Sequence, residues 1–219
     1  MQEITLVTGN LGKWKIAKDI FDKYNINLLH EKINTPEIQS NDVIEVSKYS
    51  ALYAAKKLNK PVIKSDVGYY IEELRGFPGP FLKYVNDMLT SEDILNMMKT
   101  KNNRKIYLKE CLTYAEPNGF TKEFLSIEKT TLATKEAGNG STFDKIVIFE
   151  GEKHPKSLNS EKDNYEHFKK TLDIYDDCAK YLMTREKETE DNCKYDGLCR
   201  TKKYNKLITK HKRNGHRNM

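Results

Sequence analysis

The chain has 219 residues, 37% hydrophobic and 32% charged, with 38 Lys+Arg against 32 Asp+Glu and a formal net charge of +6. That length supports a core without disulfide or metal staples, and no apolar run approaches the ~18 residues that a membrane-spanning helix needs. The whole positive excess lies in residues 184–219, so the sequence pI of about 8.9 describes a basic tail on a neutral body.

Ile4–Val7 is a short apolar run that stops at Thr8-Gly9-Asn10, and helical spacing begins with Trp14, Ala17, Phe21 and Tyr24. Strand, glycine turn and helix therefore follow one another. Residues 26–33 alternate loosely as a returning strand, and 34–41 form a polar loop interrupted by Pro36. Ile44, Ala51, Ala55 and Leu58 mark one face of a second helix that ends before Pro61. Val62-Ile63 predicts a short buried strand running into Ser65-Asp66-Val67-Gly68, Tyr69–Leu74 a further strand, and Gly76–Pro80 a rigid loop. Asp87–Lys99 reads as a helix. Lys105–Ala115 and Phe120–Ala133 are long β-type runs flanking Glu116-Pro117-Asn118-Gly119, a hairpin signal. Lys135–Thr142 is a glycine-bearing loop and Ile146–Phe149 a strand. Glu161–Met183 carries Tyr165, Phe168, Leu172, Tyr175 and Ala179 at helical spacing, as one long amphipathic helix. The expected class is α/β, a mixed twisted sheet with flanking helices and a long hairpin lobe. The expected domain spans 1–183, followed by a flexible basic tail over 184–219.

Two places have the residue types for phosphate chemistry. In Thr8-Gly9-Asn10-Leu11-Gly12-Lys13, amides at a strand-to-helix turn point outward and Lys13 lies one turn into the helix. The segment is either an anion site or an ordinary turn with a solvated lysine; it lacks the Gly-Lys-Ser/Thr ending of a P-loop. Glu37, beside Pro36, and Asp66, just after a buried strand, are hard oxygen donors of the kind Mg²⁺ takes. Asp66 by itself serves equally as a turn cap.

Thr8-Gly9-Asn10-x-x-Lys13, Pro36-Glu37-x-Gln39, Asp66-x-Gly68 and Gly76-x-Pro78-Gly79-Pro80-Phe81-x-Lys83 occur in this order over residues 1 to about 180. As an ordered set they resemble the inosine triphosphate pyrophosphatase (HAM1-like) family. The resemblance implies a cleft between two lobes and Mg²⁺-dependent hydrolysis of ITP, dITP and XTP to the monophosphate and pyrophosphate. It implies a homodimer as well. It places Glu37 and Asp66 at the metal, with Asp66 also the base on the attacking water, and Thr8, Gly9, Asn10, Lys13 and Lys83 on the substrate. Phe143 would stack on the purine, with Asp144, Lys162 and His167 near the base, although His167 alone reads as a surface helix residue. The chain departs from the pattern in three places. The lysine expected on the second helix falls at Ser50, with Lys48 the nearest replacement. The first of two adjacent acids falls at Ser65. An arginine that reads the 6-oxo edge of the purine falls at Phe168, so altered base choice is expected.

The start of the chain shows no leader pattern, so a cytoplasmic location is expected, and Cys111, Cys178, Cys193 and Cys199 read as reduced thiols. Cys193, Cys199, His211 and His216 have the residue types of a zinc site but a five-residue gap between the cysteines, which fits poorly. The competing reading is a disordered tail whose eight Lys/Arg after Leu198 contact nucleic acid in a salt-dependent way. A nucleotide-binding pseudoenzyme is the other alternative to hydrolysis.

Overall fold

The computed structural model describes residues 2–195, with side chains as far as Glu186. The chain divides into two compact units, Met1–Cys178 and Ala179–Met219, and the sheet lies wholly in the first. β1 (Glu3–Val7) leads into α1 (Leu11–Asp22), which starts where the Asn10 side chain accepts from Lys13 N. β2 (Asn27–Glu31) returns parallel to β1. α2 (Val43–Leu58) begins at Asp42, whose side chain accepts from Ile44 N, and ends at Asn59 in the left-handed conformation, two residues before Pro61. It delivers the chain to β3 (Val62–Ile71) on the other flank of β1.

β3 is one strand of ten residues rather than two short ones. All ten pair antiparallel with β5 (Lys105–Ala115), from Val62↔Ala115 to Ile71↔Ile106, so backbone pairing carries the strand through its polar middle. The Gly76–Pro80 loop contributes a two-residue strand, β4 (Pro78–Gly79), against Tyr69 and Tyr70. β6 (Thr121–Leu132) closes the hairpin through Gly119, at φ +100°, and β7 (Val147–Phe149) adds the last strand. The order is β2-β1-β3-β5-β6-β7, with β4 on β3.

Two predicted helices are each two. Residues 87–99 divide between α3 (Leu82–Met88) and α4 (Ser91–Met97), because Thr90 and Asp93 form a reciprocal capping box that starts a new helix. Glu161–Met183 divides between α5 (Glu161–Thr171) and α6 (Ile174–Tyr195), with Leu172 at φ −89°, ψ 72° between them. Buried Leu172 and Ile174 continue the apolar spacing across the break, which is why periodicity alone merged the helices. The second also runs twelve residues beyond Met183.

α2 covers one face of the sheet through Ala51, Ala54 and Ala55 against Val7, Val62 and Ala115. α1 lies on the opposite face, where it meets α5. A second core gathers Tyr69, Ile71, Ile94, Met98, Ile106, Phe143 and Val147. Cys111 and Cys178 are buried free thiols, and no helix among the described residues is long and apolar enough to cross a membrane. Cys193, Cys199, His211 and His216 lie outside the described side chains.

Candidate active site

From β1 the chain connects to β2 on one side and, after α2, to β3 on the other. A crevice therefore opens beyond the carboxyl end of β1, beside the part of β3 that runs on past it, at the kind of switch point where open α/β sheets bind ligands. The Thr8–Lys13 turn and Ser65-Asp66 both lie there. The turn is internally braced: Asn10 N donates to Thr8 Oγ1 (3.0 Å), Lys13 N donates to Asn10 Oδ1 (3.1 Å), and His30 Nε2 lies 2.8 Å from Thr8 O. The first turn of α1 has no acid to oppose an anion. A Cβ at Gly9 would meet only Lys32 Cε, at 3.6 Å, so nothing within the chain crowds this position.

Strand alternation divides the polar run of β3 between the two faces. Lys64 and Asp66 share the α2 face with Thr113 and Cys111, their partners on β5, and Ser47 Oγ of α2 lies 2.8 Å from Thr113 Oγ1. Asp66 Oδ2 is buried and has no hydrogen-bond partner. Burial pushes the Asp66 carboxyl up to about 6; nearby Lys13 and Lys64 pull it down, and Glu37 pushes it further up. Burial likewise holds the Lys64 ammonium below its ordinary range, against the pull of Asp66. A carboxyl with a value near neutrality suits proton transfer.

Ser65 lies on the other face. There Lys13 Nζ donates to Ser65 Oγ at 3.1 Å and pairs with Glu110 Oε1 at 3.0 Å. Glu110 is 4% exposed and also accepts from Tyr175 OH at 3.5 Å. Sequence reasoning missed both Glu110 and Lys64.

Glu37 borders two adjoining cavities. One, of about 310 Å³, is lined by Gln39, Pro80, Phe81 and Tyr84. The other, of about 380 Å³, is lined by Pro36, Tyr53 and Lys83. The Pro36-Glu37-x-Gln39 and Pro80-Phe81-x-Lys83 stretches thus form one groove. Gly68 explains how the latter is anchored: a Cβ there would come within 2.6 Å of Gly79 O, so β3 and β4 can approach only over a glycine.

At the far end of the β3–β5–β6 face, Asp144 Oδ1 accepts from Lys156 Nζ at 2.6 Å and Oδ2 accepts from Ser141 N at 3.1 Å. Burial works to raise the Asp144 carboxyl and is outweighed by Lys156 and Ser141, which hold it below the usual range. His167 stacks on Phe149 at 3.8 Å and pairs with Glu128 Oε1 at 2.8 Å. Lys162 is exposed on α5.

Two of the expected residues have partners within the chain. Phe143 is fully buried and stacks on Tyr69 at 5.1 Å, within the second core. Lys48 pairs with Glu123 of β6 at 3.7 Å. Ser50 itself is buried and donates to Ser47 O. Among the described residues no three His, Cys, Asp or Glu side chains converge on one point. Asp66 and Glu37 nevertheless fit Mg²⁺, which is commonly held by one or two carboxylates together with substrate phosphates, and the unpartnered Asp66 Oδ2 is the atom such an ion would satisfy.

A mixed α/β sheet with a phosphate-type turn, a buried carboxylate and a cationic cluster at its switch point defines a nucleotide-handling class of protein. The particular family follows from comparison. The sequence model of the Ham1 family matches residues 4–174, and the chain belongs to that family. It is 33% identical over 176 residues to the dITP/XTP pyrophosphatase of Methanosarcina acetivorans, covering 80% of this chain and 96% of that protein. It is 37% identical over 151 residues to the dITP/XTP pyrophosphatase of Methanopyrus kandleri, covering 68% and 80%. The fold is similar to that of a HAM1 protein from Coxiella burnetii, with a TM-score of 0.70 at 17% identity over 84% of this chain and 100% of that one.

Proposed function

We propose that the chain is a nucleoside triphosphate pyrophosphatase that hydrolyses ITP, dITP and XTP to the monophosphate and pyrophosphate, with Mg²⁺, in the cytoplasm. The observation that carries this reading is the buried, unpartnered Asp66 Oδ2, set among Lys13, Lys64 and Glu37 on β3 beside the carboxyl end of β1. The names of the two archaeal relatives support the substrate class. Asp66 takes the proton of the attacking water, whose oxygen bonds to the α-phosphorus as the bond to the bridging oxygen breaks. Lys13, Lys64 and the Thr8–Asn10 turn hold the phosphates, and Lys83 lies on the rim of the Glu37 groove. Glu37 and Asp66 would hold the ion, which supplies charge neutralisation on the phosphates. Asp144, Lys162 and His167 lie toward the base.

The resemblance also supports a homodimer, and the exposed Leu125 and Ile127 of β6 offer an apolar patch for it. A weak, salt-dependent polyanion contact belongs to the tail.

Asp66→Asn is the test. Asn keeps the volume but can take no proton, so pyrophosphate release from dITP should fall by about 100-fold or more. Turnover near that of wild type in the folded variant would remove Asp66 from the mechanism. A wild-type protein that binds nucleotides without hydrolysing them would favour the pseudoenzyme reading instead.

A further inference from the structure

Glu110 stands in the middle of β5, on the face of the sheet where it meets Lys13 of α1 and Tyr175 of α6. Its register partner on β3 is Val67, which shares that face with Ser65. Lys13 Nζ reaches Glu110 Oε1 at 3.0 Å and donates to Ser65 Oγ at 3.1 Å, and Tyr175 OH donates to the same Oε1 at 3.5 Å. Burial, and then Glu110 itself, hold the Tyr175 phenol well above its ordinary value, so it stays a donor. The Lys13 side chain is 20% exposed and that of Glu110 5%, so the open side of the pair belongs to the ammonium.

We propose that Glu110 sets how tightly Lys13 holds phosphate, by offsetting the charge of its ammonium. This rests on the pyrophosphatase reading above, which puts Lys13 on the phosphates. A bare ammonium attracts an anion as a full charge. With a carboxylate 3.0 Å behind it, the pair acts as a dipole, and its pull on the anion is weaker. An ammonium has three N–H donors. Glu110 and Ser65 take two, and the third is left for a phosphate oxygen. Glu110 therefore keeps Lys13 in place while limiting its grip on pyrophosphate, the product that has to leave. Position 65 lies within reach of the same ammonium but carries a neutral hydroxyl, so the carboxylate beside Lys13 comes from β5 rather than from β3.

The test titrates inorganic pyrophosphate into the full-length protein by calorimetry, with Mg²⁺ present and in salt that screens the tail. Pyrophosphate is released by the proposed reaction and not consumed by it. Glu110→Gln keeps the size and an acceptor for Lys13 but removes the charge, and should tighten binding by about tenfold. Adding Ser65→Asp to that variant returns a carboxylate to the same ammonium and should restore the wild-type affinity, which a merely structural role would not do. Adding Lys13→Met instead should abolish the gain. Ser65→Asp alone, with Glu110 in place, should weaken binding. Unchanged or weaker binding by Glu110→Gln would overturn the inference, as would a gain that survives Lys13→Met or tighter binding by Ser65→Asp alone. The gain in Glu110→Gln, in a protein whose wild type releases no pyrophosphate from dITP, would uphold the inference and overturn hydrolysis. Wild-type turnover of dITP without that gain would do the reverse.

Discussion

At the scale of single residues, the site depends on a carboxylate kept in an unfavourable place. The folded protein raises the Asp66 carboxyl from 3.8 to about 6, chiefly by burial. The folded state thus binds that proton more tightly than the unfolded chain does. The associated stability is fully present below about pH 4 and is lost as the pH rises through about 6, by roughly 3 kcal/mol at most. In chelator, Asp66→Asn should therefore melt higher than wild type above pH 7, and the gap should close on acidification towards pH 4. Thermal melts of the two proteins across this range check the sign. A gap independent of pH would mean that Asp66 titrates at its ordinary value. Lys13 has the opposite character: its ion pair with Glu110 and hydrogen bond to Ser65 fix it before any phosphate arrives.

At the scale of elements, local signals were legible and distant ones were not. The Thr8–Lys13 turn could be read because strand, glycine and helix spacing occur within a dozen residues. Glu37 and Asp66 stood out through ordered motifs, and the groove that Glu37 borders joins the Pro36-Glu37-x-Gln39 and Pro80-Phe81-x-Lys83 stretches in space. Glu110 was invisible, since its meeting with Lys13 depends on the β3–β5 register across more than forty residues. The burial of Phe143 was not legible, because a ring before an acid fits a stacking surface and a core position equally well. Gly68 makes the pairing of β3 with β4 a steric matter. Gly68→Ala should force Gly79 away and cost about 1–3 kcal/mol, lowering Tm by about 2–10 °C. It should also weaken nucleotide binding, because Pro80 and Phe81 of the groove follow directly on Gly79. A variant with wild-type Tm would show that β4 yields freely.

At the scale of the whole molecule, the neutral body and the positive excess are separated along the chain, and the family match ends at residue 174, before the basic segment begins. The proposed chemistry accordingly belongs to the sheet-bearing unit, and salt should weaken polyanion contact far more than turnover. The most direct measurement of the central proposal is product analysis after incubating the full-length protein with dITP and Mg²⁺. Equal amounts of dIMP and pyrophosphate are expected, with far less turnover of dATP; release of inorganic phosphate with dIDP, or no release at all, would contradict the account.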